Sequence, residues 1–347
     1  MKQTLGLIFG GASTEYEVSL TSATSIIEHL PKQEGHVIKI GISKSGMWYL
    51  VPADVSPMDD SLWEREENRL TVMLGGEQIG ILYEHTKTWI KIDLAFPIIH
   101  GQYGEDGVLG MILDQLAIPY IGCQTEANLV CFNKRFTHQI AKSVGIKTTK
   151  SVIVSEADFD SKELNDWQFP LFIKPLKGGS SIGISKVSKL SEVKKAIALA
   201  FEYDAQVIIE EAVSGVEVGC GILQNKDELL VGNLDKIELQ TEFFDFVEKY
   251  NLEQTTIEQP SKLPIEIITE VKRQAVLLFK EYGCRDLSRF DFFVTEDGAI
   301  YLNEVNTFPG FTAHSRFPMM MATTGITFTE ILTILLNNHQ EGDLYEK

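Results

Sequence analysis

Only four cysteines occur in 347 residues, and Cys123, Cys131, Cys220 and Cys284 stand apart, at no metal-ligand spacing. So few thiols in so long a chain do not make the disulfide framework of a small secreted domain, and a reducing, cytoplasmic setting is expected. The seven histidines contain no two-histidine zinc motif, so zinc chemistry is not expected. Positive charge is scarce: 31 Lys and Arg against 49 Asp and Glu leave a net charge of -18. That balance argues against nucleic acid or anionic membrane as a partner, since both need clustered cations. A chain this acidic that binds a polyanion must keep its few cations at the site. No apolar run reaches the length of a signal-peptide core or a membrane span. The glycine-rich turns also lack the G-x-G-x-x-G dinucleotide spacing, and none is followed by the Lys-Ser/Thr of a Walker loop.

What is present is the composition of a globular protein, with 44% hydrophobic and 23% charged residues. The chain is too long for one ordinary core, so two or three domains are expected. Residues 4–9 (TLGLIF) read as a buried strand, Val18–Leu30 as an amphipathic helix, and His36–Ile42, Leu94–Ile99 and Pro119–Gly122 as strands, with a helix near Leu109–Leu116. Strands alternating with helices predict a parallel sheet, here over residues 1–124. Residues 125–213 hold a helix over Lys134–Gly145, with Phe136, Ile140, Ala141 and Val144 at helical spacing, and a small α+β unit. Residues 214–347 hold further strands, a helix over Pro264–Tyr282, a hairpin and a closing helix over Thr327–Asn338.

The hairpin SRFDFFVTEDGAIYLNEVNT turns at Asp297-Gly298, a strong two-residue turn signal. With those two residues as the loop, Asp291 lies opposite Glu304 and Arg289 opposite Asn306, all four on one face. Opposed carboxylates with Cβ atoms roughly 5 Å apart repel unless a cation lies between them. Oxygen donors on a rigid sheet suit Mg²⁺, and an adjacent arginine suits a phosphate oxygen. The competing reading is a solvated strand face with alternating charges.

Three further segments have the chemistry of a ligand site. The loop Gly178–Gly183, with Ser180 and Ser181, can offer backbone N–H groups to phosphates, although a flexible hairpin tip would look the same. Lys174, in the otherwise apolar strand FIKP, needs an anion if it is buried, and Lys134 opens a helix nearby. Gly10–Glu15 joins a strand to a helix. Its acidic Glu15, with Glu17 following, favours an ammonium over a pyrophosphate, and helix-dipole stabilisation is the alternative for Glu17. His100–Gly107, at the carboxyl end of a strand, is either a site wall or an ordinary loop.

Taken in order, GGASTEYEVSLTSA, HGQYGEDGVLG, IPYIGC, FIKPLKGGSSIGISKV, FFDFVEKY, SRFDFF and LNEVNTFPGFTAHSRFP resemble the D-alanine–D-alanine ligase family nearly end to end. The resemblance implies a mixed α/β and α+β chain: an ATP-grasp fold behind an N-terminal Rossmann-like parallel-sheet domain. It implies ATP and two Mg²⁺ ions, with Mn²⁺ able to substitute, an acyl-phosphate intermediate, and a homodimer. Catalytic roles then fall to Glu17, Ser180, Tyr250, Arg289 and the Gly310 N–H. ATP contacts fall to Lys134, Lys174, Ser180, Ser181, Glu210, Glu211 and Glu217, and metal ligation to Asp291, Glu304 and Asn306. Substrate contacts fall to Glu17, His100, Lys249 and Ser315. Acyl phosphates hydrolyse readily, so a lid is required, and Gln240–Gln259 is its expected place.

Within the family the chain looks most like the D-alanine–D-serine ligases of vancomycin resistance. Asp235, Phe244 and Arg316 carry that likeness, and D-alanine–D-alanine ligase is the alternative. Glu248-Lys249-Tyr250 keeps the pattern of amine-using members and disfavours D-lactate. The chain departs from the family pattern in GEDGVLGM, in FNK, which ends on Lys134, and at Phe308. A nicotinamide oxidoreductase and a non-catalytic ATP-binding regulator are the other classes weighed, against the missing fingerprint and the full set of matched residues.

Overall fold

The computed structural model describes residues 3–31, 36–155, 159–179, 182–239 and 255–339. The first sheet places strand Thr4–Gly10 between His36–Ile42 and Leu94–Ile98, both parallel to it. Such a strand is covered on both faces, so an uninterrupted apolar run fits it. Leu5, Leu7 and Phe9 pack against Tyr16, Leu20, Ala23 and Ile26 of helix Tyr16–His29. Ile8 packs on the other face with Leu109, Leu113 and Tyr120.

The parallel expectation holds for this centre only. Trp48–Val51, Arg69–Met73, Gly80–Tyr83 and Thr88–Ile90 extend the sheet as antiparallel strands. Except between Val51 and Arg69, where a longer connection carries helix Asp60–Trp63, these strands are joined by short loops, and short loops permit only antiparallel pairing. The strand expected at Pro119–Gly122 is reduced to one parallel bridge, Ala95 with Tyr120.

A second sheet, antiparallel throughout, runs in the order Ser185–Val187, Leu171–Pro175, Val207–Glu211, Ser151–Val154, and helix Leu190–Ala200 covers one face. The third sheet centres on Gly215–Asn225 and Leu287–Thr295. Helix Ile265–Glu281 packs on one side through Val271, Ala275 and Leu278. Helix Arg316–Ala322 lies so close on the other that a Cβ on Gly219 would fall 2.6 Å from Arg316 and Met320 atoms.

Helix Lys134–Ser143 follows its apolar spacing at Ala141, Ile140 and Val144 but not at Phe136. Phe136 is 45% exposed, while Lys134, Thr137, His138 and Ala141 are buried. Ala141, with Ile140 and Val144, packs on the core of the third sheet, while Lys134 and His138 turn toward polar partners, and of the four apolar positions only Phe136 is left outside.

The hairpin also differs at its tip. Thr295 N–H donates to Ala299 at 2.9 Å and Gly298 has φ 82°, so the loop is Glu296-Asp297-Gly298, one residue longer than expected. A bulge offsets it: Phe292 pairs with Leu302 but Asp291 with Glu304, which leaves Asn303 extra. The two shifts cancel, and Arg289 faces Asn306.

Candidate active site

At the far end of this hairpin lies a buried charge network. Asp291 is fully buried and Arg289 is 5% exposed. Arg289 Nε donates to Asp291 Oδ1 at 2.9 Å and its terminal nitrogen to Oδ2 at 2.8 Å, while Asn306 Nδ2 reaches Oδ2 at 3.0 Å. Arg316 joins from its helix, 3.4 Å from Asp291 Oδ1 and 3.5 Å from Glu217. It grips Asp235 bidentately at 2.7 and 2.9 Å. Asp235 also accepts the Gly219 N–H at 2.8 Å. Burial pushes the Asp291 carboxyl upward, but Arg289 and Arg316 outweigh it and hold it below the usual range.

Asp291, Glu304 and Asn306 are hard oxygen donors, and their chemistry fits Mg²⁺. No group of three His, Cys, Asp or Glu side chains is arranged for a metal among the described residues; the expected set contains two carboxylates and the amide of Asn306. Glu304 and Asn306 line one cavity with Glu105, Cys131, Lys134 and Gly178.

On the second sheet, Lys174 meets its anion within the protein: Glu210 Oε2 lies 2.6 Å away. His138, absent from the sequence reading, stands 3.5 Å from the other Glu210 oxygen. Its one-turn spacing from Lys134 is the signal that could have found it. Burial pushes His138 down to about 4. Burial raises the Glu210 carboxyl, but Lys174 and His138 bring it below the usual range. Lys134 Nζ donates to the Gly178 carbonyl at 2.7 Å. Glu211 instead faces outward to Lys150 at 2.7 Å, and Glu217 turns toward Arg316.

Around the first sheet, His100 is buried and its Nδ1 lies 3.0 Å from the Phe308 carbonyl. A carbonyl only accepts, so Nδ1 carries the proton and Nε2 accepts from Ser22 at 3.1 Å. Burial lowers the basicity of this ring. Glu105, which the sequence reading placed in the loop His100–Gly107 without a role of its own, accepts from Gly101 and Phe308, and burial followed by Glu15 pushes its carboxyl up to about 8. Glu17 is exposed and pairs with Lys44 at 2.9 Å, whereas Glu15 is 8% exposed. Ser315 Oγ accepts from Thr312 N at 3.0 Å and closes a turn just beyond Gly310. Ser180, Ser181, Phe244, Lys249 and Tyr250 lie outside the described residues.

Family models described as D-ala D-ala ligase N-terminus and C-terminus match residues 4–123 and 140–337. The chain belongs to the D-alanine–D-alanine ligase family. It is therefore an ATP-dependent ligase with the ATP-grasp fold, using a divalent metal and small amino-acid substrates. The family serves cell-wall synthesis and vancomycin resistance. The vancomycin C-type resistance protein VanC1 of Enterococcus gallinarum is 41% identical over 94% of this chain and 95% of its own length. The D-alanine–D-alanine ligase of Caldicellulosiruptor bescii is 34% identical over 97% and 94%. Among solved structures, the VanG D-Ala:D-Ser ligase of Enterococcus faecalis superposes with a TM-score of 0.88 at 40% identity, covering 98% of this chain and 100% of that one. No described helix of this ligase is long and apolar enough to cross a membrane.

Proposed function

We propose that this ligase joins D-alanine to D-serine and so supplies a cell-wall precursor with a modified terminus that confers vancomycin resistance. The observation that carries the reading is Arg316. It is buried beside Asp235, Glu217 and Asp291, and its second terminal nitrogen makes no hydrogen bond among the described residues. A guanidinium N–H and neighbouring carboxylates together offer a hydroxyl both a donor and acceptors. A site that hydrogen-bonds a hydroxyl disfavours the analogue lacking it, because its buried polar groups are then left unpaired. The 41% identity to VanC1 and the VanG likeness support the same reading. D-alanine–D-alanine ligase is the second reading, favoured by the near-complete alignment with the Caldicellulosiruptor enzyme.

In the proposed mechanism the first D-alanine carboxylate attacks the γ-phosphorus of ATP, releasing ADP and giving D-alanyl phosphate. The amine of D-serine attacks the acyl carbon, and phosphate leaves. Lys134 and Lys174 exchange Gly178 and Glu210 for phosphate oxygens; Ser180, Ser181, Glu210, Glu211 and Glu217 complete the nucleotide site. Arg289 and the Gly310 N–H stabilise the oxyanion, an effect of about 3 kcal/mol per donor. His100 and Glu17 flank the first substrate, and Asp235, Phe244, Lys249, Ser315 and Arg316 the second. Ser180, Tyr250 and Glu17 tie the lid over 240–259. Asp291, Glu304 and Asn306 would hold two Mg²⁺ ions, replaceable by Mn²⁺, which neutralise phosphate charge. The proposal extends to a cytoplasmic homodimer with domains over 1–124, 125–213 and 214–347. Mass spectrometry of products formed with D-alanine and D-serine in competition tests it. A D-alanyl-D-alanine product that dominates at equal concentrations refutes the D-serine assignment.

A further inference from the structure

Phe308 is held at both ends by one loop of the first sheet. Its N–H donates to Glu105 Oε1 at 3.0 Å, and its carbonyl accepts from His100 at 3.0 Å. The other Glu105 oxygen accepts the Gly101 N–H at 2.8 Å. One carboxyl thus bridges two backbone segments far apart in sequence. The Phe308 ring is wedged between His100, at a centroid distance of 5.6 Å, and Phe311, also at 5.6 Å. Glu105 also lines the cavity that holds Glu304, Asn306 and Lys134, so the clamp lies at the edge of the reacting centre rather than on the outer surface.

We propose that Glu105 is a positioning residue for acyl transfer, fixing the Thr307–Gly310 backbone so that the Gly310 N–H is aimed at the developing oxyanion. The proposal rests on the oxyanion role of Gly310 given above. An oxyanion donor is effective only within about 2.7–3.1 Å of the charge it stabilises. A displacement of about 1 Å costs roughly a hundredfold in rate. Gly310 lies two residues beyond the peptide that Glu105 and His100 grip, so release of the Phe308 N–H lets the donor drift. A carboxyl suits the task because two N–H donors require two acceptor oxygens. Glutamine at this position offers one oxygen and turns an amide N–H₂ toward the other donor. Aspartate is one methylene too short to span both.

The test uses the full-length enzyme with Glu105→Gln, Glu105→Asp and Arg289→Met, read by phosphate release with ATP, Mg²⁺ and D-amino acids. The expected result is that both Glu105 variants lose on the order of 10- to 100-fold in kcat. Their KM for ATP stays within about twofold of the parent, because Glu105 is bonded to the backbone N–H groups of Gly101 and Phe308 and is not itself among the proposed nucleotide contacts. A purely structural role would lower the melting temperature and leave kcat unchanged well below it, and that result overturns the proposal. Parental kcat in the Glu105 variants together with a large loss in Arg289→Met overturns the clamp while sparing the oxyanion reading. Parental kcat in all three overturns both. Glu105→Gln is nearly isosteric, so its circular dichroism and melting curve establish that a native fold is being assayed.

Discussion

Replacing Arg316 by methionine keeps the packing of a long side chain and deletes one charge. Asp235 is fully buried and then retains only the Gly219 N–H among the partners described above, while Asp291 loses one of its two arginines. Removing one member of a buried ion pair typically costs about 3–5 kcal/mol, because the other is left as an uncompensated charge. At about 2–4 °C per kcal/mol for a domain of this size, the melting midpoint should fall on the order of 10 °C. The companion variant Asp235→Asn alone leaves the guanidinium underpaired. The double variant removes both charges, so it should be more stable than the sum of the single losses by roughly 2 kcal/mol or more. Thermal melts and urea unfolding of the four proteins give the cycle. In the same four proteins the ratio of D-alanyl-D-serine to D-alanyl-D-alanine should fall whenever Arg316 is absent. A loss below about 1 kcal/mol in Arg316→Met, with additive single effects, would refute the claim that this network is tightly coupled.

Glu304→Ala should abolish phosphate release while circular dichroism stays native; Mg²⁺-dependent turnover in that variant would contradict the metal assignment. His138 sits near 4 in the folded enzyme because of burial, against an ordinary value near 6.5, so the unfolded chain takes up its proton first as the pH falls. Its stabilising contribution is therefore complete above about 6.5 and lost on the way down to about 4, on the order of 3 kcal/mol in all. Glu210 opposes that shift, while Lys174, Lys142 and Lys134 reinforce it. His138→Gln should thus lose stability less steeply than the parent between these limits, and parallel slopes in urea titrations would count against the argument. Asp286 accepts from Gly122 at 2.7 Å and Asn338 at 3.1 Å, and pairs with His339 at 2.9 Å, so it ties the first sheet to the closing helix. Asp286→Ala should cost about 2–4 kcal/mol and raise hydrogen exchange around Gly122; unchanged exchange there would show that the tie is dispensable.

The hairpin shows how much of the site could be read in advance. Side-chain alternation and an Asp-Gly turn are local properties; the two-residue loop they imply is one residue short, and Asp291 lies opposite Glu304 because the bulge offsets the longer loop. The longer loop and the bulge at Asn303 could not be seen, because both are set by packing along the strands rather than by turn chemistry. In helix Lys134–Ser143 the apolar period pointed inward at Phe136, yet the buried face carries Lys134 and His138. Periodicity measures amphipathicity and assumes an apolar core opposite; that holds for Ala141, Ile140 and Val144 and fails only at the end of the helix that meets a polar site.

The linear order of motifs, by itself, determined the family, the reaction class, the two opposed carboxylates and the need for buried lysines to meet anions. Only the tertiary structure decided which anions: Glu210 for Lys174, and Asp235 with Asp291 for Arg316. It alone brought Glu105 and His100 to the two ends of the Phe308 peptide. The reason is physical. Period and turn propensity act over a few residues, whereas a buried charge must find its partner wherever the chain brings one, here from 25 positions away for Arg316 and Asp291 to 203 for Glu105 and the Phe308 N–H.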